Sequence, residues 1–314
     1  MNQHVSPIDD QAASATAPEA EPRAPIVDYA LLLKPRVMSL VLFTGFAGML
    51  LAPGPIDMMT AIIAVIAIAV GAGASGAINM WYDRDIDQIM ERTRERPLPA
   101  GRLRPSRALW LGIVLSIASI AAMAAYVNEM AAVLLAVTIA FYVFIYTIWL
   151  KRRTPQNIVI GGASGALPPM IGWAAVTGDI SAGSLLLFAI IFMWTPPHFW
   201  ALSLYRSGDY EKAGVPMMPV VSGVTETKKQ MVIYTVLLFP ITIAPVFIGM
   251  ITPVGGVVIA ALSGWFIWHA LVVYKADGFD APRAMFRYSI AYLFFVFVAL
   301  LADHTFLVGR IPTL

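Results

Sequence analysis

The sequence predicts an all-α polytopic membrane protein with nine membrane-spanning helices, the N-terminus cytoplasmic and the C-terminus outside. Three observations predict it. Of 314 residues, 59% are hydrophobic and 13% charged, where a soluble domain carries about 25% charged residues; the mean hydropathy is +0.75. The apolar residues gather into stretches of about twenty, the length that crosses a bilayer's hydrocarbon. Every one of the 21 Lys and Arg except Arg310 falls on one side of the resulting pattern, which fixes orientation under the positive-inside rule.

Residues 1–25 are rich in Ala, Pro, Ser and acids and lack an apolar face, so they read as a disordered tail. They have neither the basic and apolar regions of a secretory signal nor the arginine content of a mitochondrial presequence, so a bacterial cytoplasmic membrane is expected. Residues 26–314 then form one transmembrane domain. Its spans are expected at about 37–56 (after the basic KPR), 58–81 (ending in NMWY), 108–126, 129–150, 157–177 (Gly-rich), 182–204 (carrying Pro196 and Pro197), 231–252, 254–274 and 286–307. The outer connections APGPID, VN, TGDIS and TPVGG are short, bland and free of Lys and Arg, which forces antiparallel hairpins. The long polar loops, 82–107, 206–230 and 275–285, all face the cytoplasm, and long loops concentrate binding and catalysis.

The chain has no cysteine, which excludes disulfides, iron–sulfur clusters, thiolate haem ligation and Cys-based zinc sites. Its Met, Phe, Tyr and Trp suit a lipid-facing exterior and interfacial belts. Membrane lipid is an expected partner; nucleic acid is not.

The chemistry concentrates at the end of the second span, in NMWYDRDIDQIMERTRERPLPAGR. Asn79, Asp83 and Asp87 recur every fourth residue, so on a helix they keep one face, drifting about 40° per step. Acids at membrane depth cost roughly 2.5–3.5 kcal/mol each and are a functional signal. A hard cation such as Mg2+ is typically held by one or two carboxylates plus substrate phosphate oxygens. Asp83 and Asp87 suit that role, with Asn79 one turn deeper. Asp85 points elsewhere and reads as structural, offset by Arg84. Arg92 and Arg96, one turn apart, suit bidentate phosphate recognition, although either could be a topology signal, as Arg102 and Arg104 are read. Together these residues suggest a diphosphate substrate met at the lipid surface.

Tyr146 and Lys151, in YTIWLKRRTPQN, read either as an interfacial belt and anchor or as further diphosphate contacts, and the same holds for Lys34 and Arg36. His198 is the histidine placed deep in a cytoplasm-facing span; His4 lies in the tail and His269 and His304 near span ends. Such a residue is either a satisfied core histidine or a contact for a large planar ligand, the Pro196–Pro197 pair opening the helix beside it. The second and sixth spans share a layout: each descends into a charged loop closed by a Pro-rich break. This suggests parallel internal repeats.

The N-xxx-D-xxx-D helix end, YxxxxLKRxTPQN and nine spans resemble the UbiA superfamily of intramembrane prenyltransferases. Within it, NMWYDRDID, RTRERPLPAG, GGASGALPPMIGWAAVTG and WTPPHFWALSLYRSGDYEKAGVPMMP resemble the branch that farnesylates haem. The resemblance runs from about Asp28 to the C-terminus. It implies a UbiA-type helical bundle, farnesyl diphosphate and haem b as substrates, Mg2+ as cofactor, and haem A synthase or oxidase assembly proteins as candidate partners. It places Asn79, Asp83 and Asp87 in the first metal motif, Arg36, Tyr146 and Lys151 on the diphosphate side, and Asp209 at the end of a second motif. Tyr205 stands there in place of the second motif's first acid, which puts a second metal in doubt. His198 is the candidate haem contact, as axial ligand or propionate partner. The alternatives are a sister prenyltransferase acting on a quinone precursor or chlorin, a transporter, and a haem-binding assembly protein.

Overall fold

A computed structural model describes residues 26–307, without the side chains of Arg36, Phe306 and Leu307. The predicted tail 1–25, with His4, and residue Arg310 lie outside the described residues. Among the described residues every regular element is helical.

In chain order these are α1 (Ile26–Leu32), α2 (Pro35–Leu51), α3 (Met58–Tyr82), α4 (Arg84–Ile89), α5 (Pro105–Tyr126) and α6 (Glu129–Ala140). The last continues as a π-helical segment, Phe141–Leu150. Then follow α7 (Asn157–Ala166), α8 (Pro168–Thr177), α9 (Ala182–Tyr205), α10 (Ser207–Lys212), α11 (Met218–Val221), α12 (Gly223–Phe247), α13 (Pro253–Lys275) and α14 (Asp280–Ala302), closed by a π turn over Asp303–Leu307.

Eight helical segments are long and apolar enough to cross a membrane. The expected first span is shorter than read: its apolar helix covers Val37–Leu51 and stops before Pro53-Gly54-Pro55, with Gly54 at φ +126°. Two other spans are longer than read, because α12 begins at Gly223 and α14 at Asp280. Hydropathy marks what lies in lipid. The helices run on into water, where Glu and Lys are good helix formers.

The helices pack around two apolar cores. One gathers Trp200, Phe266, Tyr292 and Phe297 from α9, α13 and α14; the other gathers Met49, Ile68, Met123, Leu135 and Ile171 from α2, α3, α5, α6 and α8. Small residues set the closest approach, as they do wherever membrane helices meet backbone to backbone. A Cβ on Gly172 of α8 would fall 1.9 Å from the Gly45 carbonyl oxygen of α2, and one on Gly48 2.1 Å from that of Pro169. At the opposite end of α14, Asp303 caps α13, accepting from Thr252 N at 2.6 Å, Thr252 Oγ1 at 2.7 Å and Gly255 N at 2.9 Å.

The two halves repeat one local device. Tyr82 ends α3 and Tyr205 ends α9; one non-helical residue follows each (Asp83, φ −86° ψ 3°; Arg206, φ −119° ψ 15°), then a helix of 6 residues. Beneath these two breaks, Ile86, Met90, Ile158, Tyr210, Val215 and Met217 form a small core bordered by Tyr146 and Phe199.

Candidate active site

The break at Asp83 is too slight to lose the helical register. Asp83 N donates to Asn79 O at 2.9 Å and Asp87 N to Asp83 O at 2.8 Å, so the three polar side chains stay on one face, as their spacing predicts. All three are buried, Asp83 and Asp87 to 0% and 1% exposure. Buried carboxylates need partners, and four elements supply them. Asn79 Nδ2 donates to Asp83 Oδ2 at 2.7 Å and to Thr147 Oγ1 at 3.1 Å. Lys151 Nζ closes on Asp83 Oδ2, and Arg96 Nη1 reaches Asp87 Oδ2 at 2.7 Å. Lys34 Nζ donates to Asn79 Oδ1 at 2.7 Å.

Each of these contacts follows from local backbone. Thr147 belongs to the π-helical run and Lys151 caps it, Lys151 N donating to Tyr146 O at 2.9 Å, five residues back. Such segments concentrate at functional sites. Tyr146 can lie flat on α7 because position 161 is glycine; a Cβ there would fall 2.2 Å from its ring. Lys34 joins α1 to α2 in the left-handed region, φ 52° ψ 54°, the one non-glycine residue with positive φ among the described residues. That conformation costs of order 1–3 kcal/mol and marks functional constraint. Burial, reinforced by the nearby charges of Arg96 and Lys151, pulls the Lys34 amine down to about 7.

Two oxygens remain bare: Asp83 Oδ1 and Asp87 Oδ1 are buried without a hydrogen bond, with Arg152 Nη2 3.6 Å from the former. Bare carboxylate oxygens on one face, ringed by Lys34, Arg96, Lys151 and Arg152, fit a hard divalent cation carrying a polyanion. No third acid or histidine joins them as a metal-ligating group among the described residues.

Residues 41–301 match the UbiA prenyltransferase family. The chain belongs to this family. It is 55% identical over 280 residues to "Protoheme IX farnesyltransferase 2" of Mesorhizobium japonicum, covering 88% of this chain and 89% of that protein. It is 51% identical over 303 residues to the protoheme IX farnesyltransferase of Rhodopseudomonas palustris, covering 95% and 96% of the two chains. Among solved structures the fold is that of a digeranylgeranylglyceryl phosphate synthase (TM-score 0.75, 17% identity, 89% of this chain and 98% of that one). It is equally that of a UbiA homologue from Archaeoglobus fulgidus bound to DMAPP and Mg2+ (TM-score 0.68, 18% identity, 89% and 99%). This chain therefore has the all-helical UbiA fold and is a multi-pass membrane protein.

The remaining sequence-predicted residues of this UbiA-family chain divide. Arg92 is exposed, within electrostatic reach of both Tyr146 and Tyr205. Asp209 does not join the two buried acids; its carboxylate lies 3.6 Å from Arg206 Nη1, which also meets Glu91 at 3.4 Å. Tyr205, where an acid was expected, carries the Arg283 guanidinium over its ring at 5.6 Å. Arg36 lies in α2, its side chain outside the described set. Pro196 and Pro197 do not break α9, which runs through both. His198 is stacked between Trp194 and Phe286, at 4.2 and 4.7 Å, with Nδ1 2.6 Å from Ser289 Oγ.

Two readings need correction. Asp85 is indeed outside the acidic face, but its partner is Arg152, bidentate at 2.7 Å through both oxygens, which holds its carboxyl down to about 2. Arg84 instead donates to the Trp81 carbonyl at 2.7 Å. Arg102 is more than a topology signal, since its Nε binds buried Asp28 at 3.0 Å and ties α1 to the loop that carries Arg96. Sequence reasoning missed Thr147, Arg152, Asp28 and Thr93, whose hydroxyl donates to Asp87 O at 2.9 Å. Only Arg152 carried a signal, standing beside Lys151 in LKRR.

Proposed function

We propose that the chain transfers the farnesyl group of farnesyl diphosphate to the 2-vinyl group of haem b, giving haem O and diphosphate. The observation that carries this reading is the 55% identity over 280 residues to proteins bearing the protoheme IX farnesyltransferase name. The buried Asp83–Asp87 pair supplies the matching chemistry.

The site residues take their roles from their surroundings. Asp83 and Asp87, each with one bare oxygen, are the Mg2+ ligands, and Asn79 orients Asp83. Mg2+, when bound, neutralises charge on the departing diphosphate. Lys34, Arg36, Arg92, Arg96, Tyr146 and Lys151 surround the diphosphate, and the lysines and arginines hold its oxygens while negative charge accumulates there. Asp209 serves by holding Arg206 at the rim. Ionisation leaves an allylic cation; the vinyl carbon of haem attacks it, and water adds to the resulting cation to complete a hydroxyethylfarnesyl side chain. His198, whose ring meets Phe199 edge-on at 5.3 Å, belongs to the haem side.

Residues 26–314 act as one domain that crosses the cytoplasmic membrane nine times, the short α2 counted with the eight longer segments. The one-sided Lys and Arg distribution supports a cytoplasmic N-terminus and active site and an outer C-terminus. Haem A synthase or oxidase assembly proteins are candidate partners for handing the product on.

The test is an assay of purified protein with farnesyl diphosphate and haem b, set against 4-hydroxybenzoate and a polyprenyl diphosphate. Haem heavier by one hydroxyethylfarnesyl group is the expected product. Prenylation of the benzoate alone would replace this reading with that of a sister enzyme, and no prenylation of either would leave transport or haem binding.

A further inference from the structure

Ser289 on α14 is fully buried, and its hydroxyl stands between two partners: the Phe286 carbonyl oxygen at 2.7 Å and His198 Nδ1 at 2.6 Å. A serine hydroxyl carries one hydrogen, and a carbonyl oxygen can only accept. The hydrogen therefore lies toward Phe286, since otherwise two oxygens would face each other at 2.7 Å with nothing between them. Nδ1 must then supply the hydrogen of the second bond. Trp194 and Phe286 press on the two faces of the imidazole, at interplanar angles of 17° and 22°. Trp194 Nε1 donates to the Ser289 carbonyl at 2.8 Å, which ties the clamp to the same residue. The ring cannot turn over to exchange its nitrogens.

With Nδ1 protonated, a neutral imidazole has its lone pair on Nε2. The described residues offer Nε2 no hydrogen bond, and His198 keeps 9% of its surface open. A ring held by one nitrogen and bare at the other has the arrangement of a metal-ligating histidine, whose second N–H is bound to an acceptor that orients it and raises its basicity.

We infer that Ser289 is a positioning residue that fixes His198 in its Nδ1–H form and presents the Nε2 lone pair as axial ligand to the iron of the haem substrate. The inference rests on haem being the prenyl acceptor and chooses the iron over the propionates. Trp194 and Phe286 keep the imidazole plane, and with it the direction of the Nε2 lone pair, fixed.

The experiment titrates ferric haem b into the purified full-length protein and reads the Soret band and electron paramagnetic resonance, alongside farnesyl diphosphate binding as the check on folding. The wild type is expected to give an imidazole-ligated iron spectrum. His198→Ala abolishes it, and added imidazole restores it in His198→Gly. Ser289→Ala raises the haem Kd and KM on the order of 10–100-fold with the KM for farnesyl diphosphate unchanged, and Ser289→Thr, which keeps the hydroxyl, restores the spectrum. An unchanged haem spectrum and affinity in Ser289→Ala or in His198→Ala would overturn the inference. So would a His198→Ala variant that binds haem weakly with the wild-type iron signature. In either case a wild type that still farnesylates haem keeps the proposed function, whereas a wild type that neither binds nor prenylates haem removes that reading itself.

Discussion

Asp83 and Asp87 are held alike: in each, one carboxylate oxygen is bound to a cation, Lys151 or Arg96, and the other is buried with no hydrogen bond. A bare buried carboxylate oxygen costs free energy that a bound cation or a donor can recover. The pair is held as the proposed cation and diphosphate site requires, with Lys151 and Arg96 free to exchange their carboxylate contacts for contacts to an incoming polyanion.

Asp83→Asn and Asp87→Asn should each lower kcat by on the order of 10²–10³, the scale for removing one electrostatic element of a reacting site. Both should also lose stimulation by Mg2+. Rates measured against Mg2+ concentration decide this, and a fully Mg2+-responsive Asp87→Asn enzyme would show that the metal sits elsewhere.

Asp85→Asn should behave differently although it lies between those two residues. Its bond to Arg152 is 61% exposed on the acid's side, and exposed pairs contribute about 0–1 kcal/mol. Farnesyl transfer and thermal stability close to wild type are expected; a hundredfold loss of activity would assign Asp85 to the site.

The proposed diphosphate role of Lys34 predicts an affinity that depends on pH. Its amine titrates near 7 in the folded chain and at 10.5 ordinarily. Between those values the unfolded chain carries a proton that the folded site lacks, so this residue's contribution to stability rises with pH across that window. With the charged amine on the diphosphate, as proposed, binding takes up that proton, and affinity should fall as pH rises through about 7. Lys34→Arg, charged throughout, should flatten the profile of farnesyl diphosphate Kd against pH.

Gly172→Ala should destabilise the protein by about 1–3 kcal/mol, the usual cost of overpacking, because the new methyl would meet the Gly45 carbonyl at 1.9 Å. Gly165→Ala, with nothing within 4 Å, is the matched control and should be neutral or slightly stabilising. Thermal unfolding of both in detergent separates a packing effect from a general loss of helix-to-helix fit.

What the sequence made legible follows from what its patterns encode. Period and hydropathy report faces and lipid depth, so the Asn79–Asp83–Asp87 face and most spans were readable. Loop 206–230 hid three helical pieces because helices of 6 and 4 residues and the polar first turns of α12 are too short or too polar to leave a hydropathy trace. The cations were foreseen as a group, but their pairing was not: Arg152 rather than Arg84 on Asp85, and Arg102 on Asp28, depend on contacts between residues 67 and 74 positions apart. Thr147 stayed invisible for another reason. It lies in a π-helical run, whose register an α-helical period does not report.

The length of α2 acts as a ruler. At 17 residues it rises about 25 Å, several ångströms less than the roughly 30 Å of hydrocarbon. Its eight longer companions run 21–26 residues, and the α1–α2 junction lies at the start of the shorter helix. Lys34 sits at that junction and meets Asn79, a full turn deeper than Asp83, while Ile26 and Val27 of α1 remain exposed above it. Lengthening α2 by one turn would lift the amine by about 5.4 Å and strand Asn79. In this protein a missing turn of helix sets the level at which a lysine meets Asn79.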